Sequence, residues 1–172
     1  MNFYHGTCQL GLTELKPSLN EGSTINEPLV YLSSDTSLAV FYIWDKPYYF
    51  HTYGFDTGGR IVYEEYFENQ LKYFYQGKKG AIYTCEGDFE NKSETGIKTL
   101  FTSKNSVKIQ SQEIIEDAYQ HILKLEKEQK IKIIRFKDLT EKSKEKNIKQ
   151  IESLRKSSAT SKELLKLIEE KM

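Results

Sequence analysis

The chain has 172 residues, 38% hydrophobic and 29% charged, which is too apolar for a disordered chain and long enough for one domain with a core, or one domain plus a small appendage. Lys and Arg total 25 and Asp and Glu total 25, so the formal net charge is zero, which argues against a protein that coats nucleic acid. No run approaches the ~18 apolar residues of a membrane-spanning helix, and the opening Met1-Asn2-Phe3-Tyr4-His5 lacks the basic stretch and apolar run of a secretory signal, so a cytoplasmic location is expected.

Phe3 to Leu12 reads as a short strand and turn, with Gly6 and Gly11 as breakers. Lys16 to Pro28 is polar and reads as a loop, and Leu29-Val30-Tyr31-Leu32 is a β-prone run. Ser33-Ser34-Asp35 then offers a helix N-cap ahead of Leu38, Ala39, Phe41, Tyr42 and Ile43, with Pro47 closing the helix. Tyr48 to Tyr53 and Ile61 to Tyr66 form a hairpin around the turn Phe55 to Arg60. Leu71 to Tyr75 fits a helix end or a strand, and Ala81 to Cys85 is a strand. Ile97 to Thr102 and Val107 to Ile109 are further strands. Ile114, Ile115, Ala118, Tyr119, Ile122 and Leu125 repeat at helical spacing and predict a helix from about Glu113 to Gln129. Ile131 to Phe136 is a last strand. From Leu139 the chain is helical, a pair joined near Ser157-Ser158-Ala159, with Thr160 and Glu163 at capping-box spacing. The whole predicts an α+β fold.

The neutral total hides a division. Residues 1–123 hold 10 basic and 16 acidic residues, and residues 124–172 hold 15 basic and 9 acidic ones. Eleven of the 12 tyrosines lie at or before Tyr83, and Phe136 is the only aromatic residue of the back. An acidic, aromatic body is therefore followed by a Lys-rich segment. That segment is either a solvated helical face packed on the body or a basic surface for an anionic partner such as nucleic acid.

Few residues are suited to chemistry. Phosphate-binding loops, the dinucleotide fingerprint, the serine elbow and zinc motifs are all missing from the sequence. Cys8 and Cys85 lack the spacing of a zinc site and are expected as free buried thiols. His121 falls within an amphipathic helix and His51 among aromatics, both consistent with structural roles. His5 stands at the end of an apolar run before Gly6 and Thr7, where a glycine lets the backbone approach a ligand. Tyr31 and Tyr42 bracket a strand-to-helix unit and can either pack in the core or sandwich a planar ligand.

Together, Tyr4-His5-Gly6-Thr7, Val30-Tyr31-Leu32-Ser33-Ser34 and Ser37-Leu38-Ala39 with Tyr42 resemble the ADP-ribosyltransferase family. The closer branch is its histidine–tyrosine–glutamate group, which includes diphtheria-type toxins and poly-ADP-ribose polymerases. In that family a strand tyrosine is followed after eleven residues by a helix tyrosine, and Tyr31 and Tyr42 have that separation. The stretch Val107 to Arg135 also resembles small bacterial and prophage proteins of unassigned activity. The resemblance is tight over about the first 45 residues.

It implies a split antiparallel β body with peripheral helices over residues 1–136; the Lys-rich C-terminal tail over 137–172, read as a helical pair and expected to pack on that body, lies outside the family core. It further implies NAD-dependent transfer of ADP-ribose to a macromolecular acceptor, protein or nucleic acid, with release of nicotinamide. His5 would bond a ribose, backbone groups of Gly6 the carboxamide, and Tyr31 and Tyr42 would stack on the nicotinamide ring, with Thr7 and Ser33 also at the cofactor. No metal and no membrane enter this picture. The family glutamate belongs at the start of a late strand. Glu113 is the first candidate, Glu94 and Glu90 are alternatives, and Glu64 and Glu65 are out of order. The sequence departs from the family in having no Glu-x-Glu or Gln-x-Glu in a late strand, which leaves room for a degenerate site. Arg60, the only arginine before Arg135, is a candidate for a pyrophosphate contact or a solvated turn charge. The competing readings are a non-catalytic interaction or regulatory module on the same body, and a nucleic-acid-binding protein using the basic tail.

Overall fold

A computed structural model describes residues 1–19, 26–91, 96–156 and 161–171. In chain order its elements are β1 (Asn2–Thr7), β2 (Glu14–Leu15), β3 (Val30–Ser33), α1 (Thr36–Ala39), β4 (Tyr53–Phe55), β5 (Ile61–Glu64), α2 (Gln70–Tyr75), β6 (Gly80–Glu86), β7 (Glu90–Asn91), β8 (Leu100–Ser103), β9 (Val107–Ile115), α3 (Ala118–Lys127), β10 (Ile131–Ile134), α4 (Glu141–Arg155) and α5 (Lys162–Lys171). The result is an α+β architecture with two β-sheets and peripheral helices. The chain forms two compact units, each from two segments: residues 1–45 with 75–123, and residues 46–74 with 124–172. The first holds seven basic and twelve acidic residues and the second eighteen and thirteen, so their net charges are −5 and +5.

The first unit is a seven-stranded, wholly antiparallel sheet in the order β2-β9-β6-β1-β3-β8-β7. Alternation sends Phe3, Val30, Leu32, Ala81, Tyr83, Cys85 and Val107 into one buried cluster. The Tyr83 hydroxyl closes this cluster by donating to the Gln9 carbonyl (2.9 Å) and accepting from the Leu12 amide (3.1 Å). On the opposite face α1 packs over β1. Asp35 caps α1 by accepting from the Ser37 amide at 2.8 Å. The α-helix stops at Ala39, and a 3₁₀ turn carries Val40 to Tyr42, so the predicted helix ends well before Pro47. Branched and aromatic residues at 40–43 lose side-chain freedom in a longer helix, and Val40, Phe41 and Ile43 are buried here.

The second unit has a three-stranded sheet, β10-β5-β4. The β4–β5 hairpin is antiparallel as expected, whereas β10 joins β5 in parallel. Residues 48–52 precede β4 and are not strand. Two buried polar groups organise the connection after β5. Gln70 accepts from the Tyr66 amide (2.7 Å) and donates to Thr52 Oγ1 (2.8 Å) and Tyr63 Oη (2.9 Å). The buried Glu65 carboxylate accepts from the Leu71 amide (3.1 Å) and the Phe136 amide (3.2 Å). The Lys-rich α4 is capped by Thr140 and meets this sheet through Asn147, which donates to Glu64 Oε1 at 2.8 Å, and through Gln150, bonded to Tyr66. Ile151 on α4, and Leu164, Leu167 and Ile168 on α5, are buried. The predicted helix junction at 157–160, including the Thr160 cap, lies outside the described residues.

One boundary differs in a way that bears on function. The expected helix from Glu113 begins only at Ala118, and β9 runs to Ile115. Ile114 and Ile115 pair with Ala81 and Gly80 of β6, and Asp117 starts the helix by accepting from the Gln120 amide at 3.2 Å. Glu113 is thus a strand residue. Both cysteines are free as expected, but only Cys85 is fully buried, and burial pushes its thiol up to about 11.

Candidate functional site

The site forms where β1 and β3 part. These strands pair only at Tyr4↔Ser33, while β1 continues beside β6 through Thr7↔Ala81. The His5 ring turns into the gap, and its Nδ1 lies 2.9 Å from the Tyr31 carbonyl oxygen. A carbonyl only accepts, so Nδ1 carries the proton and the neutral ring presents Nε2 as an acceptor. Desolvation lowers the His5 pKa below its usual value, against a smaller opposing effect of the Tyr31 bond, so the ring is neutral at pH 7.

Gly6 is required here by packing. A Cβ at this position would sit 1.8 Å from the Ala39 carbonyl oxygen, so only glycine lets the end of α1 rest on β1. That contact brings the 3₁₀ turn bearing Tyr42 to the same gap. His5, Gly6, Tyr31, Ser33 and Tyr42 then line a single cavity of about 30 Å³, together with Tyr4, Leu32, Ala39 and Leu100. The volume holds one or two water molecules and is far below the ~300 Å³ at which ligand pockets begin.

Two expected members have other duties. Thr7 does not line the cavity, and its hydroxyl accepts from the Gln9 amide at 3.2 Å in the turn after β1. Ser33 is at the wall, but its hydroxyl is engaged with Asp35, accepting from the amide and donating to the carbonyl, both at 2.9 Å. Leu100 was not singled out by the sequence as a site residue, and Ala39 only as part of the Ser37-Leu38-Ala39 motif. Leu100 arrives by its register opposite Ser33, a cross-strand pairing with no local signal.

The carboxylates sit away from the cavity. Directly paired residues share a face of the sheet. Gly6 pairs with Ile82, which pairs with Glu113, while Tyr31 pairs with Thr102, which pairs with Glu90. Glu113 and Glu90 therefore flank the cavity on its own face, each two strand spacings away, about 10 Å. Both are exposed, and neither lines the void. Glu94 lies outside the described residues. Glu64 and Glu65 belong to the other unit, as does Arg60, whose Nε donates to Asp56 at 3.0 Å in the β4–β5 turn. In that unit Lys142, Lys146 and Lys149 lie exposed along one face of α4, with Glu145 among them.

Among the described residues no group of three or more His, Cys, Asp or Glu side chains is placed to hold a metal ion, and no helix is long and apolar enough to cross a membrane. No family model matches the chain, and no curated protein or solved structure matches it either.

Proposed function

We propose that this protein takes NAD as a substrate and transfers its ADP-ribose to a macromolecular acceptor, releasing nicotinamide. The observation that carries the reading is the convergence of His5, Gly6, Tyr31 and Tyr42, from two separate stretches of chain, on one cavity. In this reading the two tyrosine rings hold the planar nicotinamide and the Gly6 backbone its carboxamide. His5 Nε2 accepts from a ribose hydroxyl. The bond from ribose C1 to the nicotinamide nitrogen breaks with its electron pair going to that nitrogen, so the leaving group becomes neutral and positive charge develops on the ribose. A carboxylate stabilises that charge. Glu113 fills this role, since it stands in a late strand on the same face as the cavity.

The residue types suit the ligand, but the volume of about 30 Å³ does not admit a nicotinamide ring, so NAD entry requires part of the lining to move outward. The small cavity, with no carboxylate in its lining, favours a second reading, a non-catalytic module on the same body.

Nicotinamide release by the full-length protein separates the two. Transfer activity predicts release that His5→Ala and Tyr31→Ala each reduce by about 100-fold or more, with thermal unfolding confirming that the variants fold. No release by the wild-type protein supports the non-catalytic reading. Undiminished turnover in both variants places the chemistry elsewhere.

A further inference from the structure

Beyond the cavity, β9 is the longest strand, and most of it has a neighbour on one side only. β2 covers Val107 and Lys108, and the Ile109 amide donates to the Thr13 carbonyl at 3.3 Å. Among the described residues no strand pairs with the other edge from Gln110 to Ile115, while β6 pairs the inner edge. The side chains of residues 110–114 are exposed on both faces. Sheet edges are normally blunted by lysine, proline, shortness or a bulge. Here the open stretch Gln-Ser-Gln-Glu-Ile-Ile has no lysine and no proline, and its one irregularity, the extra residue Gln110, lies at the start.

The side chains along this edge define what fits. Alternation places Ser111 and Glu113 on one face and Gln112 and Ile114 on the other. Glu113 has no ion-pair partner among the described residues, and its unit carries a net charge of −5. Ile114 is 40% exposed. We propose that the β9 edge docks an extended segment of a partner polypeptide by strand addition, with basic side chains in the row beside Glu113 and apolar ones in the row beside Ile114. The backbone groups of the edge supply the attachment, and the two rows supply the choice of sequence. A second copy of this chain is disfavoured as the occupant, because it brings the same Glu113 and the same negative unit to the contact. The inference does not depend on the NAD reading, and its test uses no NAD.

The test uses the full-length protein and two labelled ten-residue peptides, one alternating Lys with Val and one alternating Glu with Val. Anisotropy measures binding, and amide hydrogen exchange locates it. The Lys–Val peptide is expected to bind and to slow exchange within 110–115, the Glu–Val peptide is not, and Glu113→Lys is expected to weaken the first at least tenfold. Gln112→Pro and Glu113→Pro remove successive amides, one facing β6 and one facing outward. The variant that retains native thermal unfolding should lose the peptide. Equal binding of both peptides, protection elsewhere, or no binding by the wild-type protein overturns the proposal. Self-association through 110–115 in the absence of peptide overturns it in favour of a second copy.

Discussion

His5 Nδ1 donates to the Tyr31 carbonyl oxygen at 2.9 Å, across the point where β1 and β3 cease to pair. The imidazole takes the place that a continuing β ladder would give to a backbone amide. A neutral ring is the consequence, since burial disfavours its charged form. Nitrogen NMR of the His5 ring should show the Nδ1-protonated tautomer and a pKa below 6.5. A pKa at or above that value would contradict the geometry.

Gly6 supports the same region through α1. Gly6→Ala forces a Cβ against the Ala39 carbonyl, a backbone atom that cannot turn aside. Urea unfolding should register a loss of about 3 kcal/mol, the upper part of the range for overpacking. A loss under ~0.5 kcal/mol would mean that α1 yields easily.

His51 makes the protein sensitive to acid. Burial lowers its pKa from 6.5 to about 4. Above pH 6.5 the ring is neutral in both folded and unfolded chains, so its contribution is constant. As the pH falls from 6.5 towards 4, the unfolded chain takes up the proton first, and stability drops by about 3 kcal/mol in total. Unfolding free energy measured across this window should fall, and His51→Phe should flatten the decline.

Glu65 is a structural carboxylate. Glu65→Gln replaces one accepting oxygen by an NH₂ that faces the amide of either Leu71 or Phe136. The expected cost is about 2 kcal/mol, the penalty of a buried donor left without its acceptor. A thermal midpoint unchanged from wild type would show that a rearrangement satisfies both amides.

Glu113 and Glu90 stand at matching distances on either side of the cavity, and kinetics distinguish them. If the protein releases nicotinamide, Glu113→Gln should lower the rate by about 100-fold or more, while Glu90→Gln should leave it within about twofold. The reverse pattern would move the carboxylate role to β7.

Much of the cavity was legible locally. His5 before Gly6, the Val30 to Ser33 run and the Asp35 cap are short-range signals, and each element forms within a residue or two of where those signals place it. Glu113 shows the limit. Ile114, Ile115, Ala118 and Ile122 repeat at helical spacing, yet Ile115 is buried in a strand because Gly80 lies opposite it in β6. A partner distant in sequence outweighed local periodicity. Thr7 shows a related limit: its neighbours suggest a ligand contact, while what the fold adds is a turn after β1 that engages its hydroxyl.

By itself the sequence determined the α+β class, the strand carrying His5, the helix start at Asp35 and the charge imbalance between front and back. These rest on side-chain alternation, capping and composition, which act over a few residues. Tertiary structure decided which residues meet: Leu100 and Ala39 at the cavity, Glu113 two strands from Gly6, and a β9 edge that no described strand pairs from Gln110 to Ile115. It also moved the charge boundary, since residues 46–74 group with the basic back half, giving units of −5 and +5. Cross-strand register is set by burying apolar faces against partners far along the chain, and no short window of sequence contains both sides of that contact.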